Sequence, residues 1–596
     1  MDNRKNAEVI FVPYRQSGEA PRRAGIARVD LDLSGLTDDE VQMLGHLIEA
    51  AECMNPIFRE QFCADTRKLT KLISGLIAVA EGETLVALEN YLTMLNLQNS
   101  PWSLLPRKNH LLDARRDVIE ALAEKAGLKK EFRRLADYLF EDVPLSDRAN
   151  FYPEDLSEEI LEEGGEEARR VNTSIVVNHD GDYMTIFNEE RWEKQCGEAI
   201  EHLRAARGLT KNTSFQLYLD AKIEKLTTDT EEAHRLADYH WVRHDSPIDI
   251  IISTAIEVYL DAWKNAKGSA AGNVTILNRA AEDLLNRLIE AVPRLEANAP
   301  WTWRRTEIDP ETLPRLKFVD VASWTGDYVT GPMTTIAQSL PNDEWVGKNV
   351  GTVNMVYANT GKASHKISGS FLAGEFLTEK AMEKYGDLLF EAGQIHSALH
   401  EIGHTTGRQD PDHEGEPRKY LESEYSALEE TRAELFGMWS ASVLCGDGVL
   451  SREMTEAIHY SMLLSMVSSL KFEPKQAHNQ ARTMMFHYFE EHKAIRRVEE
   501  GGRTRFEFDM DILDGVISGM LALVGNLKAA GDKTGASLLR EKYCYTDVLR
   551  PEIEERTKDA PLGRGMLFPE LRMEGERYTR ELVYPEFSQQ RKFLRT

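Results

Sequence analysis

The sequence predicts a mainly α chain with a smaller β component, an α+β class, built as two lobes or domains. Long stretches carry apolar residues at helical spacing, whereas only short pieces show the alternation or Gly and Pro punctuation of strands. At 596 residues the chain is also too long for one hydrophobic core.

The elements follow in order. Leu36 to Phe140 reads as helices, opened by Thr37-Asp38-Asp39-Glu40, an N-cap with acids in the first turn, and punctuated by Pro101 and Pro106. From Glu154 to Glu167 eight of fourteen residues are acidic, which predicts a solvated helix edge or loop. Asn172 to Ile186 reads as a β-hairpin turning at Asp180-Gly181. Glu189 to Ala233 returns to helix, and Asp309 to Ala358 is mixed, with short β-rich pieces. Glu375 to Phe489 is largely helical, Phe506 to Glu541 is helical up to Gly531, and Arg564 to Phe587 is extended. No internal repeat or low-complexity linker is present.

Composition narrows the function. The chain has 99 acidic and 72 basic side chains, a formal charge of −27, which argues against nucleic acid and against adsorption to anionic membranes. Five scattered cysteines without a CxxC pair fit reduced thiols. The first residues lack the apolar core of a signal peptide, and no run of about 18 apolar residues predicts a membrane span. A cytoplasmic compartment is expected.

The clearest chemical signal is His400-Glu401-Ile402-Gly403-His404. Residues four apart share a helix face, so both imidazoles can reach one metal ion, with Glu401 beside it to take a proton from water. Zinc suits two imidazoles and one carboxylate with a fourth position for water. Two carboxylates compete to be the third ligand. Asp410 completes H-E-x-x-H-x-x-G-x-x-D, with Gly407 turning the chain back as in metzincin-type endopeptidases. Alternatively, Leu428-Glu429-Glu430-Thr431-Arg432-Ala433-Glu434, starting 24 residues past His404, supplies a glutamate from a later helix. Glu430 and Glu434 share a face there, and Glu429 points aside.

Read together, HEIGH and EETRAE resemble the dipeptidyl peptidase III family of zinc peptidases, which pairs H-E-x-x-G-H with E-E-C-R-A-E. Further segments match in order: Ile256-Glu257-Val258-Tyr259, Leu340-Pro341-Asn342-Asp343 with Lys348-Asn349-Val350, Ala477-His478-Asn479-Gln480-Ala481-Arg482, and Gly531-Asp532 before Tyr543. The matches span about Ser246 to Asp547. Three departures stand out. The metal motif is one residue shorter, Thr431 replaces the cysteine, and after Tyr259 the family's DPxGxxGxWE becomes Leu260-Asp261-Ala262-Trp263-Lys264-Asn265-Ala266-Lys267-Gly268.

The resemblance implies two lobes around a wide cleft, a helical zinc-bearing lobe and a lobe with a small β-barrel. It divides the chain into 1–275 (lower lobe), 276–325 (start of the helical lobe), 326–372 (a β segment returning to the lower lobe), 373–565 (the helical zinc-binding lobe) and 566–596 (a tail on the lower lobe). It favours Glu430 as third ligand of one zinc ion per chain, with Glu429 and Glu434 supporting the histidines. Glu401, His478 and Tyr259 inherit catalytic roles, and Glu257, Asn342 and Arg482 substrate contacts. The implied activity is release of dipeptides from the amino terminus of short peptides, by a monomer or homodimer. A hydrolase of the same fold acting on a non-peptide substrate, or an Asp410-liganded endopeptidase, is the alternative.

Overall fold

The computed structural model describes residues 8–18, 22–103, 107–228, 230–258, 260–303, 315–329, 337–341, 343–407 and 417–584. The chain divides into two compact units, 1–277 with 319–367 and 561–596, and 278–318 with 368–560.

The first unit is built on a five-stranded sheet in the order Ile248–Glu257, Ser269–Leu277, Arg315–Gly326, Val353–Tyr357, Ala337–Leu340. Helices Asp38–Glu52 and Met54–Phe62 pack against it. The first of these is fixed by a full capping box, in which Thr37 Oγ1 accepts from the Glu40 amide and the Glu40 carboxylate accepts from the Thr37 amide. Gln61 ties the second helix to the sheet, donating to the Thr254 carbonyl at 3.0 Å and accepting from the Ala270 amide at 2.7 Å. The hairpin forms as expected, Thr173–Val177 against Tyr183–Phe187, with Gly181 at φ +89° in its turn. The acidic stretch forms two short helices, Glu158–Glu163 and Gly165–Arg169, with the acids in solvent.

The expected β-barrel is corrected. Among the described residues the sheet stays open, because its edge strand Ile248–Glu257 is covered by helices rather than paired to the far edge. Tyr218, on helix Thr213–Thr228, donates its hydroxyl to the Ile250 carbonyl, and Trp241, on helix Glu231–Arg243, donates Nε1 to Asp249 at 3.0 Å. A three-stranded sheet, Val9–Tyr14, Arg22–Arg28 and Leu562–Leu567, joins the two ends of the chain.

The second unit is a helical assembly around Tyr425–Gly446, which buries residues on every side, as a central helix must. Against it pack Leu389–His404, Arg452–Ser469, Ala477–Glu491 and Leu513–Ala530. Helix is corrected to strand at Phe506, which belongs to the hairpin Ile495–Glu500/Arg503–Phe508. Gly531 ends the following helix at φ +62°. That helix, Leu513–Ala530, is the one described helix long and apolar enough to cross a membrane, a length and composition the sequence reading passed over. Its apolar face packs inside the unit, Gly525 against Trp301, and Lys528 on it is buried.

Candidate metal centre

Helix Leu389–His404 buries Leu389, Ala392, Ile395, Ala398, Leu399 and Ile402 and carries His396, His400 and His404 as a stripe at fourfold spacing. Its partner Tyr425–Gly446 comes unusually close because two glycines sit at the contact. A Cβ on Gly403 would lie 3.2 Å from Phe436, and one on Gly437 would lie 2.7 Å from the His396 ring. That approach lets short carboxylates on one helix reach imidazoles on the other.

Three donors converge. His400 Nε2 and His404 Nε2 are 3.1 Å apart, and Glu430 Oε2 lies 3.3 Å from the first and 3.6 Å from the second. They are the one His/Cys/Asp/Glu cluster among the described residues arranged to hold a metal ion. His404 Nδ1 faces Glu429 Oε1 at 3.0 Å, which places the ring proton there and leaves Nε2 a bare lone pair. His400 Nδ1 is turned toward Glu434 Oε2 at 3.5 Å, leaving its Nε2 toward the cluster. Glu430 Oε2 is buried without a hydrogen bond. Lone pairs facing one another in a buried site are repulsive unless a cation sits between them. The three separations bracket the edge of about 3.3 Å expected of a tetrahedron with zinc–ligand bonds of about 2.0–2.1 Å. The residues fit the ion.

The surroundings steady these donors. Glu429 is buried and matched by two cations, accepting from Arg432 Nη2 at 2.6 Å and Nε at 2.9 Å and lying 2.9 Å from Lys528 Nζ. Arg432 also donates to the Gly403 carbonyl at 2.8 Å, pinning the end of the histidine helix. Glu434 accepts from Arg482 Nε at 2.8 Å, and its backbone carbonyl lies 3.0 Å from His396 Nε2. With no ion bound, burial opposes charge on His400, yet Glu430 and Glu434 outweigh it and hold its pKa up at about 10, so that a proton then takes the place of the cation. Burial also opposes the Glu430 carboxylate, and His400 and His404 bring it down to about 2. Burial works against Glu429 too, but Arg432 and Lys528 hold it well below the usual carboxylate range. Lys528 is pushed down to about 8 by burial and by Arg432.

The remaining candidates are distributed as follows. Glu401 is exposed on the helix, next to His400. His478 is half exposed, with Nδ1 3.2 Å from Glu430 Oε2. Arg482 is engaged by Glu434 through Nε. Glu257 belongs to the other unit, at the end of the edge strand, where it accepts from Gln338 Nε2 at 3.3 Å. Tyr259, Asn342 and Asp410 lie outside the described residues. Gly407 takes φ +70° and donates its amide to Glu296 Oε2 at 2.7 Å. Sequence reasoning passed over His396, Arg432 and Lys528. The signals were a third histidine four residues before His400 and a lone lysine in an apolar helix.

The segment after Tyr259 is a compact turn organised by Asp261, which accepts from Tyr152 Oη at 2.9 Å and from the amides of Lys264, Ala266 and Lys267 at 3.0 Å. Lys267 is fully buried, donating to the Ala168 and Arg170 carbonyls at 2.7 and 3.1 Å.

Residues 158–419 match the sequence profile of peptidase family M49. Nudix hydrolase 3 of Arabidopsis thaliana is 25% identical over 576 residues, 91% of this chain and 72% of that protein. Dipeptidyl peptidase 3 of Nematostella vectensis is 24% identical over 232 residues, and that of Homo sapiens 24% over 229. Each match covers 38% of this chain and 29% of the relative. Among solved structures, DPP III from Caldithrix abyssi aligns with TM-score 0.70 at 21% identity, over 91% of this chain and 97% of that one. Dipeptidyl-peptidase III from Corallococcus sp. aligns with TM-score 0.59 at 22% identity. These structural likenesses concern the fold.

Proposed function

We propose that the chain is a member of the dipeptidyl peptidase III family and a zinc-dependent exopeptidase releasing dipeptides from the amino terminus of short peptides, a reading supported by the match of residues 158–419 to peptidase family M49. The observation that carries this reading is the convergence of His400, His404 and Glu430 beside Glu401. Zinc held by those three groups supplies a Lewis acid that acidifies water and polarises a carbonyl.

The chain's own residues do the rest. Glu401 takes the proton from attacking water and hands it to the leaving amine as the C–N bond breaks. Glu429 and Glu434 hold the two rings with their Nε2 atoms toward the ion. His478 donates to the oxygen that gains negative charge on the substrate, and Tyr259 hydrogen-bonds the scissile carbonyl. Glu257 and Asn342 take the free ammonium group, and Arg482 contacts the peptide. Burial and the neighbouring Asp327 raise the Glu257 carboxyl, a strain that a cationic amino terminus would relieve.

The long match to a protein called Nudix hydrolase 3 supports a second reading, a hydrolase of the same centre acting on a non-peptide substrate. One assay separates them. Dipeptidyl-arylamides with a free amino terminus are expected to be hydrolysed, and the same compounds acetylated at that terminus are not. Glu401→Gln is expected to lower turnover by about 10²- to 10⁴-fold. Equal hydrolysis of blocked substrates, or none of either, would overturn the dipeptidyl reading. Undiminished turnover by Glu401→Gln would remove Glu401 as the base.

A further inference from the structure

The first unit contains a cavity of about 540 Å³ between the edge strand and the helices that cover it. One wall is apolar, with Ile251, Ile256 and Leu340. The other carries Lys222 and Lys225, three apart on helix Thr213–Thr228 and only 5% and 7% exposed. Buried lysines are ordinarily paired. Among the described residues Lys222 makes no hydrogen bond or ion pair, and its Nζ lies 5.4 Å from the Tyr218 ring.

The cavity's acids are largely committed elsewhere. Glu231 and Asp343 both pair with Arg235, at 3.0 and 3.4 Å. Asp249, behind the wall, accepts from Trp241 and lies 3.2 Å from His244 Nε2. That leaves Asp238 against two lysines. His234, also lining the space, is kept neutral, since burial and Lys225 bring its pKa down to about 3. The half-apolar cavity thus carries two buried lysines, of which Lys222 makes no ion pair among the described residues.

We propose that this cavity binds a small organic anion, an apolar body ending in a carboxylate or a phosphate monoester, with the charged end at Lys222 and Lys225 and the body on the isoleucine wall. The apolar wall excludes a bare inorganic ion as the preferred occupant, and the lysines exclude a neutral one. This reading is independent of the metal centre.

Titration calorimetry on the full-length zinc-loaded chain tests it, with phenyl phosphate, 3-phenylpropionate, inorganic phosphate and the neutral 2-phenylethanol as probes. One of the two organic anions is expected to bind one per chain, about tenfold or more tighter than 2-phenylethanol and than inorganic phosphate, as a charge-assisted hydrogen bond implies. Which of the two binds better distinguishes carboxylate from phosphate. Lys222→Met is expected to lose about tenfold or more of that affinity, with a thermal midpoint in the absence of probe no lower than the parent's. Lys222→Arg is expected to retain it. Repeating the parent titration at pH 8 in buffers of different ionisation enthalpy keeps the test decisive even where Met at 222 fails to fold. Burial and Lys225 push the Lys222 pKa down to about 7, so binding of an anion there takes up close to one proton. The proposal is overturned where neither organic anion outbinds the neutral probe, where Lys222→Met binds like the parent, or where no proton is taken up.

Discussion

The helical unit and the sheet unit each bury a cluster of charge, and the two are incomplete in opposite senses. Around His400 and His404 three glutamates meet three fixed cations, but unevenly. Glu429 is neutralised by Arg432 and Lys528 and Glu434 by Arg482, but Glu430 Oε2 faces only the bare nitrogens of two rings and His478. In the sheet unit Lys222 makes no ion pair among the described residues, while Glu231 and Asp343 share Arg235. A buried ionisable group without a counter-ion is costly, so Glu430 and Lys222 are the positions where a ligand of the opposite sign would be stabilising. The first cluster is also geometrically strict, with three donors at 3.1–3.6 Å, whereas the second is a roomy cavity. On the proposed readings a cation would be held by direct coordination, and an anion by buried lysines and an apolar wall.

That contrast sharpens under substitution. Glu429→Gln leaves the ligand set intact but replaces the charged carboxylate that orients His404 Nδ1 with a neutral amide, a weaker acceptor. It is expected to weaken metal affinity by about 10- to 100-fold, measured by competition with a chelating dye. It also strands two buried cations, so the thermal midpoint falls with it. Metal affinity within about threefold of the parent would mean that the matched carboxylate shell does not govern the centre.

The smaller effect belongs to the other cluster. Because folding depresses the Lys222 pKa from 10.5 to about 7, the unfolded chain holds more protons than the folded one between those values. Stability from this group therefore rises with pH across about 7 to 10.5 and is lowest below 7. Lys267, pushed down to about 7 by burial, adds a slope of the same sign. The difference between the parent and Lys222→Met in urea midpoints across that range isolates the Lys222 share. Parallel pH profiles for the two chains would show that Lys222 carries no such penalty.

How much of this was legible in the sequence follows from the range of each interaction. The helix of HEIGH is local, and fourfold spacing alone places two imidazoles on one face. EETRAE could be read as a partner because its carboxylates also repeat at helical spacing. Sequence spacing could not show that Gly403 and Gly437 let the two helices close up, since that depends on what Phe436 and His396 meet across the contact. Nor could it show Lys528 reaching Glu429 from about a hundred residues downstream. The β-barrel is an expectation of the family resemblance, not of any spacing in this sequence. That helices cover the edge of Ile248–Glu257 instead of another strand is a matter of tertiary packing. The strand at Phe506 was taken into the following helix because a six-residue amphipathic hairpin strand carries little periodic signal. The anion cavity had no sequence signature, as Lys222 and Lys225 look like any solvated helix face until their burial is known.

The central claim is that His400, His404 and Glu430 together hold one divalent ion while Glu401 stands outside the ligand set. Metal content per chain by elemental mass spectrometry, after gel filtration of zinc-loaded parent, Glu401→Gln and Glu430→Ala, tests it most directly. The account predicts one zinc ion in the parent, one in Glu401→Gln and well under one in Glu430→Ala. A full complement of zinc in Glu430→Ala, or its loss from Glu401→Gln, would contradict it.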